Sequence, residues 1–375
     1  MANIFTRSPH IIEINEASQI GTKVELFISS GTDAIPSSPT YTLSKLIAAS
    51  NKPETHYNIS PYIREYMNFN SIVSAYSSSY MNINTFANVV VKRYKDIGAG
   101  YVLIDTTTYY GFDGYGYYED GSNPDLGRSL MTEGTYYYNY DSTIDLGADF
   151  DDVPSSIGVP LEGLAGEQLK ATYTNLVSGA TTSVTKTAIV VPSGSQNVAR
   201  QFKSVINAYY ADGNKVEIID NVTTTVLATY YFYPKPPCKY NSVRCDFVNK
   251  FGQYQRIWFY AASNDTLNIT SKEHKNLQSS ITSYNTIQGQ SKEFNLNGKA
   301  SIRVNTDWVN EDFKDILKEI MLSEKVLING YPCKLKTKST ELYKHINTKM
   351  INYALEFEFN YNVINNVIWE VYKYT

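Results

Sequence analysis

The chain has 375 residues, a formal net charge of −4 at pH 7 and an excess of tyrosine, with 33 Tyr against 15 Phe and 3 Trp. A chain of this length can bury a sizeable core, which excludes a small disulfide-stapled scaffold and predicts two or three domains. Its Lys and Arg residues form no long run, which argues against sequence-specific nucleic-acid binding as the main role.

Targeting segments and cysteine usage narrow the class of protein further. Residues 1–19 lack the continuous apolar segment of a secretory signal, and no window approaches the roughly 18 apolar residues of a membrane-spanning helix. We therefore expect synthesis in a cytosol and no membrane partner. Cys238, Cys245 and Cys333 are too scattered for a disulfide framework or a zinc site, which predicts reduced, buried thiols.

The first third of the chain predicts a β-sandwich-like or barrel-like domain. Tyrosine and threonine suit half-buried sheet faces, so the composition favours a mainly β fold class with few helices. Short strand-like runs separated by Gly, Ser, Pro and Asn clusters occur at residues 10–14, 23–29, 39–48 and 88–94. The phrase SPYIREYM at 60–67 predicts a short helix capped by Ser60, with Pro61 in its first position.

A tyrosine- and glycine-rich segment follows between residues 101 and 140, with phrases such as GFDGYGYYEDG at 111–121. This mixture predicts a hairpin or a long ordered loop whose rings offer contact area at low entropic cost. Two interpretations stay open: the rings pair across strands within their own sheet, or they form a contact surface for another molecule. The candidate interface residues here are Tyr109, Tyr110, Tyr115, Tyr117 and Tyr118.

The middle of the chain returns to strands after a surface connection at 145–160. Strand-like runs at 185–191, 215–220 and 223–233 precede YPKPP at 233–237, which is typical of a stiff hinge. We therefore predict three domains. They are an N-terminal β-sandwich-like domain with the Tyr/Gly-rich loop over 1–145, a middle β region over 146–235, and a C-terminal domain of a helix on a sheet over 236–375.

The C-terminal part predicts an antiparallel sheet packed with one amphipathic helix. Alternating apolar residues predict a hairpin over 243–260, a strand over 294–304 interrupted at Asn297-Gly298, a hairpin over 326–338 that turns at Asn329-Gly330, and a last strand over 352–363. Residues 263–292 form a polar stretch between the first two of these.

The helix is predicted from a stripe of apolar residues at helical spacing. Its members are Val309, Phe313, Ile316, Leu317, Ile320 and Met321. Thr306 or Asp307 can supply the N-cap oxygen, and acidic residues crowd the first turn, where negative charge is favoured. Trp308 lies in that turn and is interpreted either as a core anchor or as an interface hot spot, so it completes the candidate interface set.

No motif in the sequence predicts catalysis, a metal site or a cofactor. GYGYYE at 114–119 lacks the third glycine and the βαβ context of a dinucleotide site, and the acidic loop at 149–152 lacks the glycine and closing glutamate of an EF-hand. The histidines His10, His56, His274 and His345 show no ligand spacing. We therefore expect no cofactor and no enzymatic activity.

Three phrases of the chain resemble a family of tail proteins from phages that infect Bacteroidetes, including crAss-like phages. The phrases are DGYGYYEDGSNP at 113–124, CDFVNKFGQYQRIWFYAAS at 245–263, and SIRVNTDWVNEDFKDILKEIMLSEKVLING at 301–330 with INYALEFEFNYNVINNV at 351–367. The resemblance implies a virion structural protein of the tail, made in the host bacterial cytoplasm. Such a subunit would assemble with copies of itself into a ring or hub around the tail channel and contact other tail or portal-adjacent proteins.

Two other classes of function stay open beside this resemblance. One is a receptor- or glycan-binding tail fibre or baseplate protein, with the tyrosine cluster as its carbohydrate-stacking surface. The sequence argues against an extended fibre, because it lacks coiled-coil or β-helical periodicity. The other is a polysaccharide or peptidoglycan hydrolase, which the sequence disfavours because no catalytic motif is assembled.

Overall fold

The computed structural model describes residues 3–30, 33–47, 53–67, 86–124, 135–141, 156–157, 160–164, 168–187, 197–201, 210, 212–220, 223–235, 239–252, 254–277, 280, 282–283, 285–310, 313–340 and 350–365. The chain divides into two compact units that alternate along the sequence. The first comprises Met1–Pro237, Phe247–Ile257 and Asp315–Ser323, and the second comprises Cys238–Asp246, Trp258–Lys314 and Glu324–Thr375. The three predicted domains stay a prediction.

The first unit begins with a five-stranded sheet. In order across the sheet its strands are β1 (Asn3–Phe5), β7 (Tyr101–Phe112), β6 (Phe86–Asp96), β3 (Gly21–Ser30) and β4 (Tyr41–Leu46). Neighbouring strands are antiparallel, except that β1 runs parallel to β7. A separate antiparallel pair joins β2 (Ile11–Ile14) to β5 (Thr55–Asn58).

The predicted short helix is present as α1 (Ser60–Arg64), which follows β5. The predicted cap is wrong, because Ile59 occupies the N-cap position and makes no side-chain cap bond. The Ser60 hydroxyl instead donates to the carbonyl oxygen of Ser8 and accepts from the backbone N–H of His10. Ser60 therefore ties the helix to the segment before β2.

Apolar residues from the sheet, the β2–β5 pair and α1 form one buried cluster. On β3 the side chains of Val24, Leu26 and Ile28 alternate into this cluster, as a half-buried strand requires. Its members are Ile4, Ile12, Ile14, Val24, Leu26, Ile28, Tyr57, Ile59, Ile63, Ala87, Val89 and Val91. The strand-like runs predicted in the first third of the chain thus supply this core.

Residues from the middle of the chain form a second five-stranded sheet in the first unit. Its strands, in order, are β12 (Thr181–Thr187), β11 (Gln168–Asn175), β14 (Asn214–Asp220), β15 (Val226–Lys235) and β8 (Thr135–Asp141). β8 runs parallel to β15, and the other pairs are antiparallel. Two small pairings complete the unit: β10 (Pro160–Leu164) with β13 (Asn197–Gln201), and β9 (Ser156–Ile157) with β17 (Tyr254–Phe259).

The second unit is built on neighbouring antiparallel strands. In order they are β18 (Asn264–Lys275), β19 (Ser291–Asn305), β24 (Ala354–Phe359), β22 (Tyr331–Leu335), β21 (Val326–Ile328) and β16 (Val243–Val248). The turn between β21 and β22 places Asn329 and Gly330 at φ +51° and +86°, the left-handed angles that a type I′ turn requires. The predicted hairpin at Asn329-Gly330 is confirmed.

The fold class is mainly β with few helices, as predicted. Within the described ranges the longest helix is α2 (Phe313–Leu322), whose apolar stripe is buried except for the half-buried Met321. The predicted N-cap at Thr306 or Asp307 is wrong, because Asp307 has a left-handed φ of +61° and Val309–Asn310 forms a short strand, β20, paired with β23 (Met350–Ile351). No helix in the described ranges has both the length and the apolar character needed to cross a lipid bilayer.

The long ribbon of β18 and β19 differs from the prediction for the same residues. β19 runs unbroken through Asn297-Gly298, and its partner β18 occupies the stretch identified only as polar. Every residue of β18 is exposed, so the strand has no buried face. Because the sequence signal of a strand is alternation between a buried and an exposed face, that signal is missing here.

We predict that Leu26→Ala destabilises the first unit, because it removes a fully buried side chain from the centre of β3. The free energy of unfolding should fall by about 2 to 5 kcal/mol, measured by urea denaturation. Leu46→Ala on the neighbouring strand is the control, since Leu46 is 81% exposed and its truncation should change stability by less than about 0.5 kcal/mol. Equal effects of the two variants would contradict the assignment of this core.

Candidate functional site

The candidate interface residues occupy different environments. Tyr110 is fully buried in β7, where its ring packs in the first unit and not on a surface. Tyr109 is half-buried on the same strand, and Tyr118 is 98% exposed. Trp308 belongs to the second unit and is 54% exposed, so the interpretation of this tryptophan as a core anchor is wrong.

The segment Asp113–Tyr118, which we name the Tyr/Gly loop, follows β7 and lies directly on the turn that connects β16 to β17. The backbone N–H of Tyr115 donates to the carbonyl oxygen of Lys250 at 2.9 Å. A methyl group added to Gly114 would lie 2.4 Å from that same oxygen. Gly252 in the turn has φ +75°, and a methyl group there would lie 2.7 Å from the backbone nitrogen of Asp113. The two backbones can approach this closely only because both positions are glycine.

Polar side chains hold the two ends of the Tyr/Gly loop. Asp113 is buried, and its Oδ1 accepts from the Arg64 Nε at 2.9 Å in an ion pair. The backbone N–H of Gly116 donates to the Ser8 hydroxyl at 2.9 Å, and the backbone N–H of Arg7 donates to the carbonyl oxygen of Gly114 at 3.0 Å. The loop is therefore ordered by bonds from three other segments of the first unit.

The rings of Tyr115 and Tyr117 face cationic side chains of the same unit. The Lys318 Nζ lies 3.6 Å and the Lys250 Nζ 5.5 Å from the centre of the Tyr117 ring, and the Arg7 guanidinium lies 4.7 Å from that of Tyr115. These distances fall within the range of a cation–π interaction. The two rings also meet edge to face, 5.8 Å apart. Tyr115 and Tyr117 thus make intramolecular contacts, with cationic side chains and with each other.

A buried carboxyl group, Glu319 on α2, lies among these residues and was missed by the sequence reasoning. Its side chain is 7% exposed, and its Oε2 accepts from the backbone N–H of Lys250 at 3.2 Å. Burial raises the pKa of Glu319 to about 7, reinforced by Asp315 and opposed by the charge and the hydrogen bond of Lys250. Burial and the nearby Glu319 also raise the pKa values of Tyr115 and Tyr117 well above their ordinary range. The carboxyl group of Glu319 can therefore exchange a proton near neutral pH.

The sequence does contain a weak signal for Glu319. The residue lies three positions after Ile316 and one before Ile320, so it borders the buried stripe of α2. Charged residues at the border of a stripe usually extend into water, and this one turns inward because the Lys250 N–H is available as a donor. That donor belongs to a distant turn, so only the tertiary structure identifies the site.

The second unit carries an exposed apolar surface on the β18–β19 ribbon. Leu267 lies opposite Ala300 and Ile269 lies opposite Gly298, so the two aliphatic side chains project from the same face. A methyl group on Gly298 would lie 2.8 Å from a Leu267 methyl carbon, which confirms that Leu267 covers this glycine. Exposed aliphatic residues of this face and of the adjoining segment after β24 form what we name the ribbon patch: Leu267, Ile269, Leu296, Val363 and Ile364.

Comparison of the sequence with protein-family models and with curated proteins gives no match. Over the ranges that the structure describes, no group of three or more His, Cys, Asp or Glu side chains is arranged to hold a metal ion. The acidic loop at 149–152, Cys238 and His345 lie outside the described residues. Cys245 and Cys333 are free, buried thiols, as predicted, and burial raises the pKa of each.

Glu319→Gln should change how stability depends on pH. The folded-state pKa of Glu319 is raised from 4.5 to about 7, so its contribution to stability is complete below about pH 4.5 and is lost as the pH rises through 7. The free energy of unfolding of the wild type, relative to that of Glu319→Gln, should fall by about 2 to 3 kcal/mol between pH 5 and pH 8.

Urea unfolding at the two pH values measures this difference. Glu119→Gln is the matched control, because Glu119 is exposed on the segment that follows the Tyr/Gly loop and its removal should leave the pH dependence unchanged. A difference between wild type and Glu319→Gln that is constant from pH 5 to pH 8 would show that this carboxyl group is not buried as described.

Proposed function

We propose that the chain is a virion structural protein of a phage tail that assembles with copies of itself into a ring or hub around the tail channel. The resemblance noted in the sequence motivates this proposal, and the ribbon patch is the single structural observation that supports it most. Localisation in the virion tail, synthesis in the host cytoplasm and contacts with other tail or portal-adjacent proteins belong to the same proposal.

The ribbon patch has the properties of a contact between copies. Monomeric proteins rarely expose contiguous apolar patches larger than about a few hundred Å², and Ile269 is 65% exposed in the middle of a regular strand. Burial of a leucine or isoleucine side chain contributes about 1.5 to 3 kcal/mol, so several of them together can offset the loss of rotational and translational freedom on association. A complex in which a partner covers this face is therefore stabilised by apolar burial that the isolated chain lacks.

The position of β18 supports a contact that can repeat from copy to copy. Within the part of the chain that the structure describes, β18 is the terminal strand of its sheet, so its outer edge has no strand neighbour. Edge strands with unpaired backbone groups accept a further strand or segment. When one copy presents such an edge and the next covers it with a different surface, the contact is heterologous and closes into a ring if the rotation between copies fits.

Light scattering over a concentration series, followed by negative-stain imaging, tests the proposal. The wild type should form a closed particle of uniform size. Ile269→Lys should shift the mass towards the monomer, because it places a charge in the ribbon patch. Thr270→Lys is the matched control: it adds the same charge one residue later, on the opposite face of the strand, and should leave assembly intact. A wild type that is monomeric at every concentration, or equal assembly of both variants, would contradict the proposal.

Trp308→Ala is expected to weaken assembly without unfolding the chain. Because the side chain is 54% exposed, its truncation should change the free energy of unfolding by less than about 1 kcal/mol. If Trp308 is a hot spot, the dissociation constant between copies should rise at least about tenfold, measured by sedimentation. Tyr240→Ala, another exposed aromatic of the second unit, is the control. Unchanged assembly of Trp308→Ala would remove this residue from the interface.

A further inference from the structure

A polar pocket in the first unit lies apart from both the Tyr/Gly loop and the ribbon patch. Its volume is about 350 Å³, within the range of small-molecule sites. It is lined by segments before and within β2, by β6 and β7, and by the loop at Asn123. The side chains that carry the argument are His10, Glu13, Arg93, Thr107, Tyr109 and Asn123. Tyr109 is the one candidate interface residue among them.

Arg93 is held in place and keeps donors for a ligand. Its Nε donates to the Asp105 Oδ1 at 2.8 Å, its Nη2 donates to the Asp105 Oδ2, and its Nη1 donates to the carbonyl oxygen of Glu13 at 2.9 Å. A guanidinium has five N–H groups, so in the described ranges two remain beyond these three bonds. The bidentate pair orients a planar donor before any ligand arrives.

One wall of the pocket is aromatic. The Tyr109 ring meets the His10 imidazole edge to face, with 5.3 Å between ring centres. Burial raises the pKa of Tyr109, against the hydrogen bond of Thr107 and the charge of Arg93. Thr107 and Arg93 line the pocket together with Tyr109. Ring, hydroxyl and guanidinium therefore line the same cavity.

The opposite rim of the pocket is also ordered. The Asn123 side chain donates through Nδ2 to the carbonyl oxygen of Ile11 at 2.9 Å and accepts through Oδ1 from the N–H of the same residue. This clamp holds the start of β2, and Glu13 on the same strand is one of the residues that line the pocket. Glu13 itself lies 3.8 Å from the His56 Nε2. The site thus combines the oriented donors of Arg93, a residue with a carboxylate acceptor and an aromatic face.

The charges in and around the pocket decide the class of ligand. Asp105 compensates the positive charge of Arg93, and Glu13 adds a negative charge, so the described lining residues offer an anionic ligand no net attraction. An ammonium ligand would leave the remaining Arg93 donors without acceptors. A neutral polyhydroxylated ring can accept from Arg93, donate to Glu13 and place its C–H face on Tyr109.

We propose that this pocket binds a neutral sugar residue, with Arg93 and Glu13 bonded to its hydroxyl groups and Tyr109 packed against the ring. Such binding is independent of ring assembly, since all the lining residues belong to the first unit and none belongs to the ribbon patch. A tail subunit with this site would contact a host glycan while other surfaces contact its neighbours.

Saturation-transfer NMR on the full chain tests this proposal with defined probes at millimolar concentration. The neutral probes are methyl α-mannoside, methyl β-galactoside, N-acetylglucosamine and N-acetylgalactosamine, and glucuronate and choline serve as the anionic and cationic probes. We expect at least one neutral sugar to give a signal. Glu13→Ala, which changes an exposed side chain, and Tyr109→Leu, which keeps an apolar side chain, should each weaken binding about tenfold or more.

Tyr118→Ala is the matched control, since that ring is exposed and lies outside the pocket. It should leave the sugar signal unchanged, and circular dichroism should show that all variants are folded. The proposal is overturned if no neutral sugar binds, if only glucuronate or choline binds, or if folded Glu13→Ala and Tyr109→Leu retain full binding.

Discussion

The bond from the Tyr115 N–H to the carbonyl oxygen of Lys250 is the contact on which the first unit depends. That unit is assembled from three separate segments of the chain, and the Tyr/Gly loop is where they meet. The same Lys250 donates its backbone N–H to Glu319 on α2, and the Arg7 Nη2 donates to the carbonyl oxygen of Leu322 at the end of α2. Each of these bonds joins residues that are far apart in sequence, so forming one bond alone costs loop-closure entropy. That cost is offset only when the bonds form together.

These contacts explain why the Tyr/Gly loop contains glycine and tyrosine. Gly114 and Gly252 are required because two backbones lie against each other, and the rings of Tyr115 and Tyr117 cover the contact while lysine and arginine side chains extend over them. The glycines and these two tyrosines therefore reflect packing within one unit, while Tyr118 at the end of the loop is exposed. The surfaces proposed to contact other molecules are the ribbon patch on β18 and β19, the exposed Trp308 and the pocket beside Tyr109.

Much of the fold could be predicted from the sequence where periodicity is local. The alternation of apolar and polar residues predicts strand β3, and the pair Asn329-Gly330 predicts a tight turn. Both signals depend only on short-range geometry, and both predictions are confirmed. Strand β18 could not be predicted, since a strand exposed on both faces has no alternation, and the start of α2 was misplaced because Val309 pairs with Ile351 in a strand. The environment of Glu319 depends on Lys250, and the pocket depends on four distant segments, so neither has a local signature.

Cross-linking of the wild-type chain shows directly whether copies assemble through the ribbon. Isotopically light and heavy protein would be mixed, allowed to exchange, cross-linked with a short lysine-reactive reagent and analysed by mass spectrometry. Self-assembly through the ribbon should give mixed light–heavy links that involve Lys272, Lys275, Lys292 and Lys299, the lysines of the exposed ribbon. Links at these lysines that join only peptides of the same isotope, while mixed links occur elsewhere or not at all, would contradict it.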